Sequence, residues 1–320
     1  MTSHAAASAP STGIPFTTSK ARYDGRSASM LRGRDYRAVF RSVWADGDTP
    51  DSVGLRVQAA RLLVPHGAAA CHTAGQLLGL PVPPMRHTHL QIGPGDEATT
   101  VDGVEVHRLQ RPRPTIQTLD GPCQTPLSLW LAIAAHASAA RDAADLLDVV
   151  VLGDAIVRRG LSPAHLVAAA KATRGRGAAM ARAAGELVRD AVDSPPETSV
   201  RLALVLAGLP EPAINTVVRW SDGGWLACPD LSYPQWKVAI EYDGAHHRTD
   251  ARQWAQDIGR QENLQTRGWI VIRVTATDLG RPLTVVTRVA NAILVAGGPA
   301  FSLRPPEAWW RVFSPPSPGQ

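Results

Sequence analysis

The sequence predicts an α/β fold of the α+β kind, and three observations carry that prediction. Residues 193–274 deliver helix, strand, strand, strand, helix, strand, the makings of a mixed sheet flanked by helices. The segment from His87 to Leu109 alternates polar and apolar residues on both sides of a Gly/Pro/Asp-rich loop, as paired strands do. Between these two regions, Leu127, Leu131, Leu146, Val150 and Leu166 give helical stretches their apolar faces.

Residues 1–14 are rich in Ala, Ser, Pro and Thr and are expected to be a disordered tail. Thr17 or Thr18 suits the cap of a short helix, Gly25 a turn, and Ser27 the cap of a second helix through Leu31. A strand from Tyr36 to Trp44 follows. Asp51–Val64 and Ala68–Leu78 read as amphipathic helices, the second ending at Gly79 before Pro81. Thr88–Ile92 and Val104–Leu109 read as a hairpin or strand pair. His87, His89 and His107 could gather on one side of it. No further metal ligand accompanies them at recognisable spacing, so half-exposed strand residues are expected.

Arg111–Pro126 is proline-rich and reads as a connector across the surface. Helices are expected over Pro126–Ala140, Asp142–Arg159, Pro163–Ala172 and Ala178–Val192. Ser194-x-x-Glu197 is a capping box with Pro195 in the first turn, and its helix stops at Gly208-Leu209-Pro210. Strands Asn215–Trp220, Trp225–Asp230 and Lys237–Asp243 come next. After Gly244 a polar helix buries Trp254, Ile258 and Leu264, and WIVIRV forms the last strand. The tail after Gly297, with Trp309-Trp310, has no assigned role. The expected organisation is thus a tail (1–14), a first region (15–110), a helical connector (111–192), a core domain (193–297) and a C-terminal tail (298–320).

At 320 residues the chain is long enough for two or three cores. Its net charge of +5 favours an anionic partner, nucleic acid being the usual one. Cys71, Cys123 and Cys228 lie far apart with no CxxC pair, which argues against a disulfide framework and fits a reducing cytoplasm. The N-terminus lacks the features of a secretory signal, and no stretch is long and apolar enough to span a bilayer. A cytoplasmic protein with no membrane partner is expected.

The chemistry concentrates in WLACPDLSYPQWKVAIEYDGAHH. Alternation along its second strand sets Lys237, Ala239, Glu241 and Asp243 on one face, and Val238, Ile240 and Tyr242 on the other. Asp230 can meet Glu241 across the hairpin. Carboxylates converging at a sheet edge make a hard, oxygen-lined site suited to Mg²⁺ or Mn²⁺. Glu197 needs no catalysis to explain it, since the cap alone suffices, and Asp257 with Arg260 forms an i,i+3 ion pair on the helix that follows.

These residues resemble the PD-(D/E)xK nuclease superfamily, the restriction-endonuclease-like fold. The likeness is greatest to the branch related to very-short-patch repair endonucleases. The resemblance rests on Pro229-Asp230, Ala239-Ile240-Glu241-Tyr242-Asp243-Gly244 with His246-His247, Asp257-x-x-Arg260, Leu264, Gly268-Trp269 and Val271-Ile272-Arg273. It covers roughly 193–297 and implies metal-dependent endonucleolytic cleavage of DNA. Asp230 and Glu241 would ligate the metal with the Tyr242 carbonyl or Asp243. Glu197 matches an acid that many members carry upstream of the core sheet. His246 or His247 would serve as proton donor or phosphate ligand, and Asp257, Arg260 and Arg273 would face the nucleic acid. The superfamily's lysine two places after the strand acid is Asp243 here, with Lys237 as a stand-in. The N-terminal region resembles the compact winged-helix start of abortive-infection type IV antitoxin-like proteins. That implies DNA-phosphate contacts from Arg22, Arg26, Arg32 and Arg34, leaves a homodimer open, and assigns no toxin partner. The alternative function is a non-catalytic DNA-binding regulator.

Overall fold

A computed structural model describes residues 13–98, 100–137, 146–220, 222–244, 263–303 and 305–313. The chain forms a mixed α+β structure of two compact units, residues 1–136 and 137–320. The division falls inside the stretch expected to be a connector.

The first unit begins with β1 (Phe16–Thr17), α1 (Thr18–Tyr23), α2 (Ala28–Leu31), β2 (Tyr36–Phe40) and β3 (Val43–Asp46). Thr17 and Ser27 cap the two helices through their side-chain oxygens. The strand expected over Tyr36–Trp44 is two strands, because Ser42 takes a φ of +68° and folds the chain back on itself. The strands pair antiparallel in the order β1-β3-β2.

Then come α3 (Val53–Leu63), β4 (Ala68–Ala69), α4 (Cys71–Leu77), β5 (Thr88–Ile92), β6 (Val104–Arg108), β7 (Thr115–Thr118), β8 (Gly121–Gln124) and α5 (Pro126–Ala137). A five-stranded sheet runs β6-β5-β4-β8-β7. Ala68–Ala69, expected to begin a helix, form β4 of this sheet instead. Of the hairpin or strand pair expected over Thr88–Ile92 and Val104–Leu109, the strand pair is found, and it is parallel. The supposed proline-rich connector contains the β7–β8 hairpin, turned at Leu119-Asp120, with Gly121 opening β8 at a φ of +120°. Phe40, Val43, Ala59, Ala60, Val64, Leu90 and Ile92 close this unit's core.

The second unit starts with α6 (Leu146–Arg158), α7 (Pro163–Ala172), α8 (Ala178–Leu187) and α9 (Pro195–Leu206). β9 (Ala213–Ile214), β10 (Val218–Arg219), β11 (Trp225–Ala227), β12 (Leu231–Tyr233), β13 (Val238–Asp243) and β14 (Ile270–Thr275) follow. The unit ends with α10 (Ala276–Leu279), α11 (Pro282–Val295) and α12 (Glu307–Phe313). The strand expected over Asn215–Trp220 is shorter because Asn215, at φ +44°, leaves the extended region. The main sheet is β14-β13-β12-β9, with β12 antiparallel to both neighbours and β13 parallel to β14.

The expected alternation along β13 decides what each sheet face covers. Val238 and Ile240 pack with Val200 and Leu204 of α9, Val286 and Val289 of α11, and Trp309 of α12. Ala239 packs on the other side with Leu226, Ala227 and Leu264. The helix α12, in the segment after Gly297, therefore packs on this core. Trp309 is 1% exposed and its indole N–H donates to the Ala203 carbonyl at 3.0 Å. No helix among the described residues is long and apolar enough to cross a membrane.

Candidate functional site

The N-terminus of α9 and the facing ends of β12 and β13 bring the acidic residues of the second unit together. β12 and β13 pair Leu231 with Ile240. Asp230 lies in the bend immediately before β12, and Glu241 lies one position beyond Ile240 on β13. The Asp230 carboxylate turns onto the next strand, where its Oδ2 accepts the Tyr242 backbone N–H at 2.7 Å.

Burial lifts the Asp230 carboxyl above the usual carboxylate range, to about 6. The Tyr242 N–H opposes that rise, while the charges of Glu197, Glu241 and Asp193 add to it. Three neighbouring acids therefore act on Asp230 at once.

Glu197 is 6% exposed and acts through its cap. Its Oε1 accepts the Ser194 hydroxyl at 2.7 Å, and its Oε2 accepts the Asp193 N–H at 2.9 Å. Asn215, expected only as the first residue of a strand, donates its side-chain amide to Glu197 Oε2 at 3.2 Å and its backbone N–H to the Asp230 carbonyl at 2.9 Å. It ties the helix start to the strand start. An asparagine between two short apolar runs was the available signal, since Asn tolerates positive φ.

Lys237 is not on the β13 face. It lies in the turn before the strand at φ +51°, and its ammonium donates to the Arg267 carbonyl at 3.2 Å. It therefore supplies no lysine to the carboxylates. Arg273 pairs in parallel register with Glu241, and its guanidinium lies 3.9 Å from Asp243. His246, His247, Asp257 and Arg260 fall outside the described residues.

Of the four N-terminal arginines, Arg22, Arg32 and Arg34 are exposed. Arg26 is engaged. Its guanidinium sits over the Phe16 ring at 4.6 Å and the Tyr36 ring at 5.5 Å, bridging β1 and β2.

A buried ionic cluster braces α9 from behind and had no sequence signal. Arg201, 0% exposed, reaches Asp154 of α6 at 3.3 Å, the Leu187 carbonyl at 2.7 Å and Glu211 at 2.9 Å. Asp154 also accepts the Thr198 hydroxyl and the Arg189 backbone N–H, each at 2.8 Å. Desolvation raises the Asp154 carboxyl, and Arg201 counters it.

No protein-family model matches this chain. Two curated relatives, "Uncharacterized protein MT2308" and "Uncharacterized protein Rv2248" of two Mycobacterium tuberculosis strains, are each 24% identical over 255 residues. The match spans 79% of this chain and 90% of theirs. Among solved structures, the RV2827C protein from Mycobacterium tuberculosis aligns with a TM-score of 0.37 at 15% identity, over 65% of this chain and 84% of that one.

Proposed function

We propose that the second unit hydrolyses DNA phosphodiester bonds with a divalent cation, Mg²⁺ or Mn²⁺, held at the Asp230–Glu241 edge. The observation that carries this reading is the crowding of Glu197, Glu241 and Asp193 charge on Asp230. A bound cation is the ordinary relief for such repulsion. The donor set fits a hard ion, since Asp230, Glu241 and the Tyr242 carbonyl or Asp243 offer oxygen alone. When bound, such an ion lowers the pKa of water and offsets charge developing on the phosphate.

The chain's own contribution is to aim and to neutralise. The Tyr242 N–H fixes Asp230 Oδ2 and so orients the carboxylate. The Glu197–Asn215 link holds the strand start still. Arg273, beside Glu241, offers a planar guanidinium to a phosphate oxygen, a contact that would displace its long pairing with Asp243. A histidine of the His246-His247 pair would protonate the leaving oxygen. Arg22, Arg32 and Arg34 would add DNA-phosphate contacts from the first unit.

The test is cleavage of supercoiled and linear DNA with Mg²⁺, with Mn²⁺ and with chelator, by wild type and Asp230→Ala. Metal-dependent cutting that the variant loses while keeping its fold supports the reading. No cutting by the wild type in either metal overturns it. A second reading, DNA binding without cleavage, draws on the engagement of Lys237 at Arg267, away from the carboxylates. Metal-independent binding to one DNA sequence in a gel shift, without cutting, favours that reading.

A further inference from the structure

The first unit gathers a second, chemically different set of donors. Cys71 opens α4, His89 lies in β5, and Glu105 and His107 lie two apart on one face of β6. The parallel register sets His89 beside Glu105 and Gln91 beside His107, so the β5 and β6 residues share a face. His107 Nε2 stands 2.9 Å from His89 Nδ1 and 3.8 Å from Cys71 Sγ. The two Glu105 oxygens stand 3.7 Å from His89 Nδ1 and His107 Nε2. One donor atom from each of Cys71, His89 and His107 lies within 4.8 Å of those of the other two.

We propose that Cys71, His89, His107 and Glu105 form a tetrahedral site for a divalent ion of the zinc class. In a zinc site with bonds of about 2.0–2.1 Å to nitrogen and oxygen and about 2.3 Å to sulfur, neighbouring donors sit about 3.3–3.6 Å apart. The observed separations of 2.9, 3.7 and 3.8 Å bracket that range. Charge agrees as well. A thiolate and a carboxylate together balance a doubly charged ion, with the Cys71 thiol proton released to solvent on binding. The mixed sulfur, nitrogen and oxygen set excludes Mg²⁺ as the preferred occupant, because that ion favours oxygen alone.

A further feature fits an ion. His89 is 0% exposed, so an ion taking the lone pairs of His89 Nδ1 and His107 Nε2 is shielded from water on that side. His89 Nε2 carries the ring proton when Nδ1 ligates, and its lack of a partner among the described residues is the same with or without the ion. The ligand backbone is also fixed by buried amides. The Cys71 N–H donates to Gln124 Oε1 at 3.0 Å, and Gln124 Nε2 donates to Gln91 Oε1 at 2.7 Å. This chain holds Cys71 at a φ of +47°, a conformation a non-glycine residue rarely takes. Glu105, 41% exposed, opens the site to solvent.

The expectation that His87, His89 and His107 are half-exposed strand residues holds for His107, partly buried in β6, and fails for the other two. His89 is buried, His87 is exposed outside β5, and the missing ligand is Cys71, distant in sequence.

The test is titration of the chelator-treated full-length chain with Co²⁺, followed by displacement with Zn²⁺. A tetrahedral ligand-field spectrum with a thiolate-to-cobalt charge-transfer band at one equivalent, lost in Cys71→Ser and kept in Cys228→Ser, supports the site. His107→Gln should bind Co²⁺ at least about 100-fold more weakly, and it serves if Cys71→Ser does not fold. Co²⁺ seated at the carboxylates of the second unit would give no sulfur band, so the outcome does not depend on the nuclease reading. Absence of the band in the wild type, or its survival in both Cys71→Ser and His107→Gln, overturns the proposal.

Discussion

Asp230 and Tyr242 are joined across two strands by a single hydrogen bond, the Tyr242 backbone N–H to Asp230 Oδ2 at 2.7 Å. That bond favours the ionised carboxylate, yet Asp230 still titrates at about 6 because burial and neighbouring acids outweigh it. The residue is held in place by one interaction and strained by several others. Such a balance suits a group whose charge is satisfied by something that arrives later.

The first prediction follows from that strain. Between the unfolded value of 3.8 and the folded value of about 6 the native state binds the extra proton, so stability falls as pH rises through this window. Above pH 6 the full destabilisation applies, at most about 3 kcal/mol. Asp230→Asn should raise the melting temperature in chelator at pH 7.5 and flatten its dependence between pH 4 and 6. A melting temperature lowered by this substitution would remove the strain argument.

Lys237→Gly should leave metal-dependent cleavage unchanged. The lysine's ammonium is spent on the Arg267 carbonyl, and its φ of +51° favours glycine. Stability should stay within about 1 kcal/mol of the wild type by urea denaturation. A drop in turnover above about 100-fold would restore Lys237 to the chemistry.

Arg201→Met should destabilise by about 3–5 kcal/mol, because it strands Asp154 as a buried charge. The double variant with Asp154→Asn should recover much of that loss, since both charges are then gone. Chemical denaturation of the four proteins measures the coupling, and strictly additive losses would contradict it.

Trp309→Ala should lower stability by about 3–5 kcal/mol through the cavity it opens and the Ala203 carbonyl it abandons. Trp310→Ala, altering a side chain that is 44% exposed, should lose far less. Comparable effects of the two would contradict the packing.

Replacing Arg22, Arg32 and Arg34 by Ala should weaken DNA binding uniformly across sequences and reduce the salt slope by up to ~0.9 per lost contact. Arg26→Ala should instead act mainly on stability, since its guanidinium lies over Phe16 and Tyr36. Fluorescence anisotropy at several salt concentrations separates the two effects.

The legible parts of the chain were those where local chemistry decides structure. Thr17, Ser27 and Ser194 cap where expected, but the strand expected over Trp225–Asp230 ends at Ala227 and it is Leu231–Tyr233 that pairs with β13. What was not legible depends on contacts distant in sequence. Nothing near His89 announces that Cys71 will lie beside His107. Nor does the sequence around Arg201 point to Asp154, 47 positions away. The parallel pairing of β5 and β6 escaped for a related reason, because alternation reports which face is apolar but not the direction of the neighbour. Lys237 was misplaced by extending a strand pattern one residue into a left-handed turn.

The indole of Trp309 meets a carbonyl 106 positions earlier, and this has a consequence during synthesis on the ribosome. α9 and the carboxylate-bearing strands emerge first, and the side chain that seals the space behind them is made later. A chain cut short by an early stop codon would carry every acid of the edge and still lack its seal. The core behind the proposed carboxylate edge would then stand open, and such truncated molecules would be exposed to proteases.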